Sequence, residues 1–308
     1  MLKKIVIFGV GLIGGSFAAG LRKAGAVEEI VGVGRTSASL TRAKELGLID
    51  CISTSVEEAL HDADLVLVAA PVAQTESILS AIKPWLQPQT VITDAGSIKG
   101  EVVAAAVRAL GDRIAQFVPG HPIAGSEANG PDAALADLYV GKKVVLTPLP
   151  QNAPAHVERV AAAWQQCGAL IHKLGVEEHD AVFAAVSHLP HLLAYALVDD
   201  IASKPHADLL FQYAASGFRD FTRIAGSSPE MWRDISLANQ PAILNELDAY
   251  IAQLTRFRAL LAQKDGAAME AMFANAQRAR NEWAHGGVHG GTQSMDAADA
   301  KSRQDRKS

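Results

Sequence analysis

The sequence predicts an α/β domain built on a parallel β-sheet, followed by a domain that is entirely helical. Short apolar runs alternate with helical segments over residues 1–174, a pattern typical of parallel strands covered by helices on both faces. After Gly175 the strand pattern fades, and apolar residues recur every three or four positions. We expect domains at 1–174 and 175–284 and a disordered tail at 285–308, which is rich in Gly, Ser, Asp and Lys.

The elements of the first domain follow from their apolar patterns. Strands are predicted, all in one sheet, at 5–9, 30–33, 65–69, 91–94, 117–119, 143–147 and 169–173. Helices are predicted at 16–24, 39–46, 72–83 and 155–167.

The helical domain contains one long amphipathic helix that begins near Pro241. Its stripe could pack within its own chain or against a second subunit, and the pattern favours neither. The stripe consists of Ile243, Leu244, Leu247, Tyr250, Ile251, Leu254, Phe257, Leu260 and Leu261.

Composition and charge argue against several classes of protein. The chain has 308 residues, of which 49% are hydrophobic, enough for a large core. Its formal charge of -5 does not favour a nucleic-acid-binding surface. Its two cysteines are too few for a disulfide framework or a cysteine metal cluster, and they fit a reducing, cytoplasmic compartment. No apolar run reaches the ~20 residues of a membrane helix, so no membrane partner is expected.

A glycine motif follows the first predicted strand. Gly9, Gly11 and Gly14 form a G-x-G-x-x-G that precedes a predicted helix, the context in which this motif binds a dinucleotide. The helix N-terminus would offer free N–H groups to the pyrophosphate. The predicted cofactor-binding residues here are Gly9, Gly11, Leu12, Ile13 and Gly14, with Ala70 and Pro71 after strand 65–69.

The end of the second strand bears on which dinucleotide binds. An acidic residue usually stands there in NAD sites, but this chain has Gly34, Arg35, Thr36 and Ser37. Arg35 could pair with a 2′-phosphate, and Thr36 and Ser37 could donate hydrogen bonds to it. The sequence therefore favours NADP over NAD, although a solvated Arg35 and a site that accepts both remain open.

Three polar segments are placed where a substrate site is expected. Residues 94–99 and 120–127 each follow a predicted strand, where ligands collect in open parallel sheets. Ser97 and His121 could therefore face the nicotinamide together. The third segment, 217–223, lies in the helical half and is followed by Trp232.

At these residues the chain closely resembles the prephenate/arogenate (cyclohexadienyl) dehydrogenase family of tyrosine biosynthesis. The matching elements, in the family's order, are the G-x-G-x-x-G start and residues 94–99, 120–127, 187–191 and 218–223 with Trp232. The resemblance implies a Rossmann domain followed by an all-helical dimerisation domain, a homodimer and a cytoplasmic enzyme. It also implies oxidative decarboxylation of prephenate or arogenate, to 4-hydroxyphenylpyruvate or tyrosine, with hydride transfer to NADP or NAD.

The same resemblance implies roles for single residues. His121 would accept the proton of the ring hydroxyl, and Ser97 would hydrogen-bond beside it and fix its tautomer. Glu127 and Asp220 would gate access through an ionic pairing. The residues expected to bind substrate are Arg223, His191, Trp232, Arg219, Ser216 and Gly217.

Two other functions stay open at this point. A β-hydroxyacid dehydrogenase would need a helical lysine, and none lies between Gly175 and Lys204. A non-catalytic dinucleotide sensor would bind the cofactor without turnover. His188 and His191 could suggest a metal pair, but Pro190 and the lack of a third ligand favour a structural role for His188.

Overall fold

The computed structural model describes residues 1–34, 37–125 and 128–285. Two compact units divide the chain, Met1–Glu246 and Leu247–Ser308. The division falls inside a long helix, and the predicted boundary at 174/175 stays a prediction.

A parallel sheet forms the centre of the first unit. Over the described residues it has six strands in the order β3-β2-β1-β4-β5-β6. All are parallel, so their carboxyl ends lie at one edge. The strands are β1 (Leu2–Phe8), β2 (Val27–Val33), β3 (Cys51–Ile52), β4 (Leu65–Val68), β5 (Val91–Asp94) and β6 (Phe117–Val118).

Helices cover both faces of this sheet, as the continuous apolar strands predict. Phe17 and Trp164 pack against each other in the core on one face, with tilted rings whose centroids are 4.5 Å apart. Leu79 and Leu110 are buried in the core on the other face. The helices are α1 (Leu12–Lys23), α2 (Ser37–Glu45), α3 (Val56–Leu60), α4 (Thr75–Ile82), α5 (Gly100–Leu110) and α6 (Pro154–Gln166).

The α/β class is confirmed, but the single predicted sheet is wrong. Among the described residues a separate three-stranded sheet contains β7 (Gly120–Pro122), β8 (Lys143–Leu146) and β9 (Leu170–Lys173). Pro119 separates β6 from β7, and its carbonyl accepts from the Thr147 backbone N–H at 3.0 Å. Proline has no N–H for the ladder, so the chain changes sheet at this residue, and β7 then pairs antiparallel to β8.

From Gly175 onward every regular element described is helical, which confirms the predicted change. A π-helical turn at Ala184–His188 connects the first two helices, and the Leu189 N–H donates to the Ala184 carbonyl. The helices are α7 (Val176–Phe183), α8 (Leu189–Ala202), α9 (Ala207–Gln212), α10 (Ser216–Thr222), α11 (Pro229–Ala238), α12 (Gln240–Gln263) and α13 (Gly266–Ala284).

By length and composition alone, the continuous helical segment Val176–Ala202 could cross a membrane, with a mean hydropathy of 1.6. Such a helix is weak evidence for a membrane span, because core helices of soluble proteins have the same composition. This one contains buried titratable residues, His179, Asp180 and His188, which belong to the site described below.

The second unit pairs the end of α12 with α13. Phe257 and Phe273 bring these helices together, with ring centroids 5.6 Å apart. Ile251, Leu254 and Leu261 of the predicted stripe are about half exposed in the single chain. Their exposure agrees with a stripe that packs against a second subunit.

Candidate functional site

A cleft of about 400 Å³ lies at the carboxyl ends of β1, β2 and β4. The predicted cofactor-binding residues Gly9, Gly11, Ala70 and Pro71 line it, together with Gly34. Leu12, Ile13 and Gly14 form the first turn of α1 directly behind this rim.

The geometry of two glycines explains the motif. Gly9 has a φ of +95°, and a Cβ there would lie 2.7 Å from the Ala69 carbonyl oxygen. A Cβ on Gly14 would lie 2.2 Å from the Gly9 carbonyl oxygen, so α1 can approach β1 only with glycine here. The N-terminus of α1 therefore sits tightly behind the cleft, where it can bind a pyrophosphate. These residues fit a dinucleotide cofactor.

The rim that would meet the adenosine ribose is described only in part. Gly34 follows β2, Ser37 begins α2, and Ser39 lines the cleft. Arg35 and Thr36 lie outside the described residues.

His121 lies on β7 and contacts two residues of α7. Its Nδ1 is 2.9 Å from Nε2 of His179. The Phe183 ring packs against both imidazoles, with centroid distances of 4.7 Å to His121 and 4.6 Å to His179. Burial, with smaller contributions from His179, Lys99 and His188, lowers the pKa of His121 well below its usual value. The imidazole is therefore neutral at pH 7 and can accept a proton.

Asp180 continues this hydrogen-bond chain. Its Oδ1 is 2.7 Å from Nδ1 of His179 and accepts from the Lys99 backbone N–H at 2.8 Å. Its Oδ2 accepts from the Gly100 N–H at 2.7 Å. Burial opposes ionisation, but hydrogen bonds from His179, Gly100 and Lys99 hold the pKa of Asp180 below its usual value. Asp180 is therefore a carboxylate.

A buried ion pair supports the backbone before His121. Lys99 Nζ lies 2.5 Å from Asp94 Oδ2 and donates to the Gly120 carbonyl at 2.8 Å. Asp94 Oδ1 accepts from the Gly120 N–H at 3.0 Å. Burial lowers the pKa of Lys99, and Asp94 counteracts it. Ser97 lies half-buried in the loop between Asp94 and Lys99, both of which bond to Gly120, the residue before His121.

The predicted substrate residues His191, Trp232 and Arg223 come together on three elements. His191 on α8 stacks on Trp232 of α11, with ring centroids 3.7 Å apart. Burial lowers the pKa of His191, and the positive charge of Arg223 also lowers it, so Arg223 lies close by.

His188 joins this group to the His121 group. Its Nδ1 is 3.1 Å from Asn239 Nδ2, and the same amide donates to the Asp180 carbonyl at 2.9 Å. Burial lowers the pKa of His188 to about 4. The residue is 1% exposed, in agreement with the predicted structural role. Among the described residues no cluster of His, Cys, Asp or Glu could hold a metal.

Four of the remaining predicted residues lie on the short helix α10, which packs against α8. Ser216, Gly217, Arg219 and Asp220 are exposed there. Glu127, the expected partner of Asp220, lies outside the described residues, so the gating prediction stays a prediction.

Sequence reasoning did not single out His179, Asp180, Lys99, Asp94 or Asn239. The pairing of His121 with His179 joins positions 58 residues apart, which no local pattern reveals. One indication was available. His179, Asp180 and Phe183 lie within five consecutive residues of the domain expected to be helical, so they would share one helix face, and a titratable pair beside a phenylalanine is unusual for a solvated face.

Two family models together match most of the chain. Residues 17–173 match the nucleotide-binding domain of prephenate dehydrogenase, and residues 175–275 match its dimerization domain. The cyclohexadienyl dehydrogenase of Zymomonas mobilis is 38% identical over 283 residues, which cover 91% of this chain and 96% of the relative.

Solved structures agree. The prephenate dehydrogenase of Aquifex aeolicus, crystallised with hydroxyphenyl propionate and NAD+, has a TM-score of 0.86 and 36% identity, over 92% of this chain and 98% of that one. The arogenate dehydrogenase of Synechocystis has a TM-score of 0.78 and 28% identity, over 91% of this chain and 99% of that one. The resemblance predicted from the motifs is confirmed: this chain belongs to the prephenate dehydrogenase family.

Proposed function

We propose that this protein is an NAD(P)-dependent dehydrogenase of tyrosine biosynthesis that oxidatively decarboxylates prephenate, arogenate or both. The observation that supports this most directly is the neutral His121 imidazole. Hydrogen bonds link it through His179, Asp180 and Asn239 to His188, and the His188 ring packs edge-on against Trp232 of the His191–Trp232 pair. The two solved structures reported above carry the names of enzymes that act on these substrates.

The reaction removes a hydride from the ring carbon that bears the 4-hydroxyl. When bound, the nicotinamide cofactor supplies the hydride acceptor. His121 Nε2 accepts the hydroxyl proton as the carbon is oxidised, which general-base catalysis requires of a neutral imidazole. Loss of CO2 then makes the ring aromatic, and His121 returns the proton to the phenolate oxygen. Ser97, on the neighbouring loop, hydrogen-bonds to the same hydroxyl in this proposal.

Substrate carboxylates need a cation. Arg223 provides a planar guanidinium that can pair with a carboxylate through two hydrogen bonds. His191 and Trp232 line the wall beside it, with Arg219, Ser216 and Gly217 of α10 nearby in sequence. Glu127 and Asp220 gate this entrance in the proposal.

For the cofactor we propose a preference for NADP, with NAD accepted. Gly34 stands where a carboxylate would repel a 2′-phosphate. Arg35, Thr36 and Ser37 are the residues proposed to bind that phosphate.

We further propose a cytoplasmic homodimer. The match to a dimerization domain over residues 175–275 supports the dimer, and so do the half-exposed apolar residues of α12. The two cysteines, too few for a disulfide framework, support the location.

The test is a four-way assay with prephenate or arogenate and NAD or NADP, following reduced nicotinamide by absorbance. His121→Asn should lower kcat by ~10²–10⁴ and leave KM nearly unchanged. Dinucleotide binding without turnover on either substrate would instead indicate a sensor, and wild-type turnover by His121→Asn would remove His121 from the mechanism.

A further inference from the structure

The hydrogen-bond chain behind His121 ends at a carboxylate. Asp180 is ionised and can only accept, so His179 Nδ1 must carry the hydrogen between them. Burial lowers the pKa of His179, although Asp180 opposes this, so His179 is neutral at pH 7. Its Nε2 therefore has a lone pair and no hydrogen.

This assignment determines the tautomer of the next ring. Because His179 Nε2 can only accept, the 2.9 Å contact requires that His121 Nδ1 donates. The hydrogen of neutral His121 is then on Nδ1, and its Nε2 is left as the proton acceptor. We infer that His179 and Asp180 are positioning residues that hold His121 in the Nδ1–H tautomer and stabilise the imidazolium that forms during turnover.

The surroundings are built to keep this geometry. Phe183 packs against both rings and restricts their rotation. Asp180 is anchored by the backbone N–H groups of Lys99 and Gly100, and the Asn239 amide donates to its carbonyl. An orienting carboxylate behind an imidazole base does the same in other enzymes, but here a second imidazole lies between the two.

The charges that face His121 come from three elements. Lys99 precedes α5, and His179 and Asp180 lie on α7. His188 belongs to the π turn. Burial, Lys99 and His188 oppose protonation of His121, and so does His179 when it is itself protonated. Neutral His179, which accepts from His121 Nδ1–H and is backed by the Asp180 carboxylate, favours it. Removal of His179 should therefore make protonation of His121 harder.

This inference rests on the proposed function, and its test separates the two. His179→Leu removes the acceptor, and His179→Gln retains one oxygen that can accept and one amide that can donate. We expect His179→Leu to lower kcat about 10- to 100-fold with KM within about threefold, because orientation is part of the general-base contribution. The acid limb of its kcat–pH profile should move to lower pH. His179→Gln should recover most of the activity, and the exposed His206→Leu is the matched control.

A direct measurement uses the wild-type protein, so it does not depend on whether the variants fold. Long-range ¹H–¹⁵N correlation of ¹⁵N-histidine-labelled protein reports which ring nitrogen carries hydrogen, and the His121 signals are those absent from His121→Asn. A hydrogen on Nδ1 and none on Nε2 is expected at pH 7. The opposite tautomer would overturn the inference even if His121 is the base, and so would a folded His179→Leu with wild-type kcat and pH profile. Wild-type turnover by His121→Asn would remove His121 from the mechanism, and absence of turnover by the wild-type protein on either substrate would overturn the proposed function itself.

Discussion

The side chain of Lys99 donates to the carbonyl oxygen of Gly120 at 2.8 Å, directly before His121 in the chain. Lys99 is fully buried, and its ammonium is neutralised by Asp94, which is 2% exposed. A buried ion pair therefore joins the loop that carries Ser97 to the strand that carries His121.

Replacing Lys99 should damage both stability and turnover. Lys99→Met leaves Asp94 as an uncompensated buried charge, which costs roughly 3–5 kcal/mol of unfolding free energy. Asp94→Asn in the same chain should recover part of this loss, because the amide oxygen can still accept from the Gly120 N–H. Urea unfolding of the wild type, both single variants and the double variant gives the coupling. Additive losses would contradict a pairwise interaction.

A carboxylate at position 34 should change the choice of cofactor. A Cβ on Gly34 would lie 3.5 Å from Leu40, an ordinary contact, so Gly34→Asp should fold. The new charge would repel a 2′-phosphate and accept from a 2′-hydroxyl. We expect kcat/KM for NADP to fall at least tenfold relative to that for NAD. Gly34→Asn is the uncharged control, and equal changes with both cofactors would contradict the assignment.

Arg223 should act mainly on substrate binding. Arg223→Ala should raise the substrate KM about 10- to 100-fold, since a charge-assisted bidentate pair is lost. The substrate KM of Arg223→Lys should lie between those of the wild type and Arg223→Ala, because lysine keeps the charge without the planar fork. Arg233→Ala on α11 removes an exposed guanidinium that pairs with Asp234, and it should leave KM unchanged. Steady-state kinetics at saturating cofactor distinguish these variants.

The histidine cluster should make the fold sensitive to acid. The pKa of His121, His179, His188 and His191 is lowered in the folded chain. The unfolded chain therefore binds more protons as the pH falls below about 6.5, and stability is lost in that direction. For His188, a pKa of about 4 in place of 6.5 corresponds to on the order of 3 kcal/mol by pH 4. Thermal unfolding from pH 7.5 to 4.5 measures this. An unchanged Tm down to pH 5 would argue against neutral buried histidines.

The sequence was sufficient for features that depend on local pattern. Apolar runs located the strands of the parallel sheet, and the glycine spacing located the cleft, because both depend on neighbours within one βα unit. The second sheet was missed because residues 143–147 and 169–173 show the same apolar strand pattern as the strands of the first sheet, and only their pairing partners show that they belong to another sheet. Residues 91–99 were located, but the sequence does not distinguish Lys99 from an exposed lysine, because its contacts with Asp94 and Gly120 are visible only in the folded chain.

The π turn at Ala184–His188 has a consequence for how this chain can vary. It places one more residue in the turn than an α-helix holds, so an ordinary α-helical turn here would need one residue fewer to keep α8 in the same orientation to α7. One residue lost elsewhere between His179 and His191 would instead rotate α8 by ~100° relative to α7. His191 would then leave the Trp232 ring while His179 kept its contact with His121, so the π turn and the length of this helical segment together keep proton transfer beside substrate recognition.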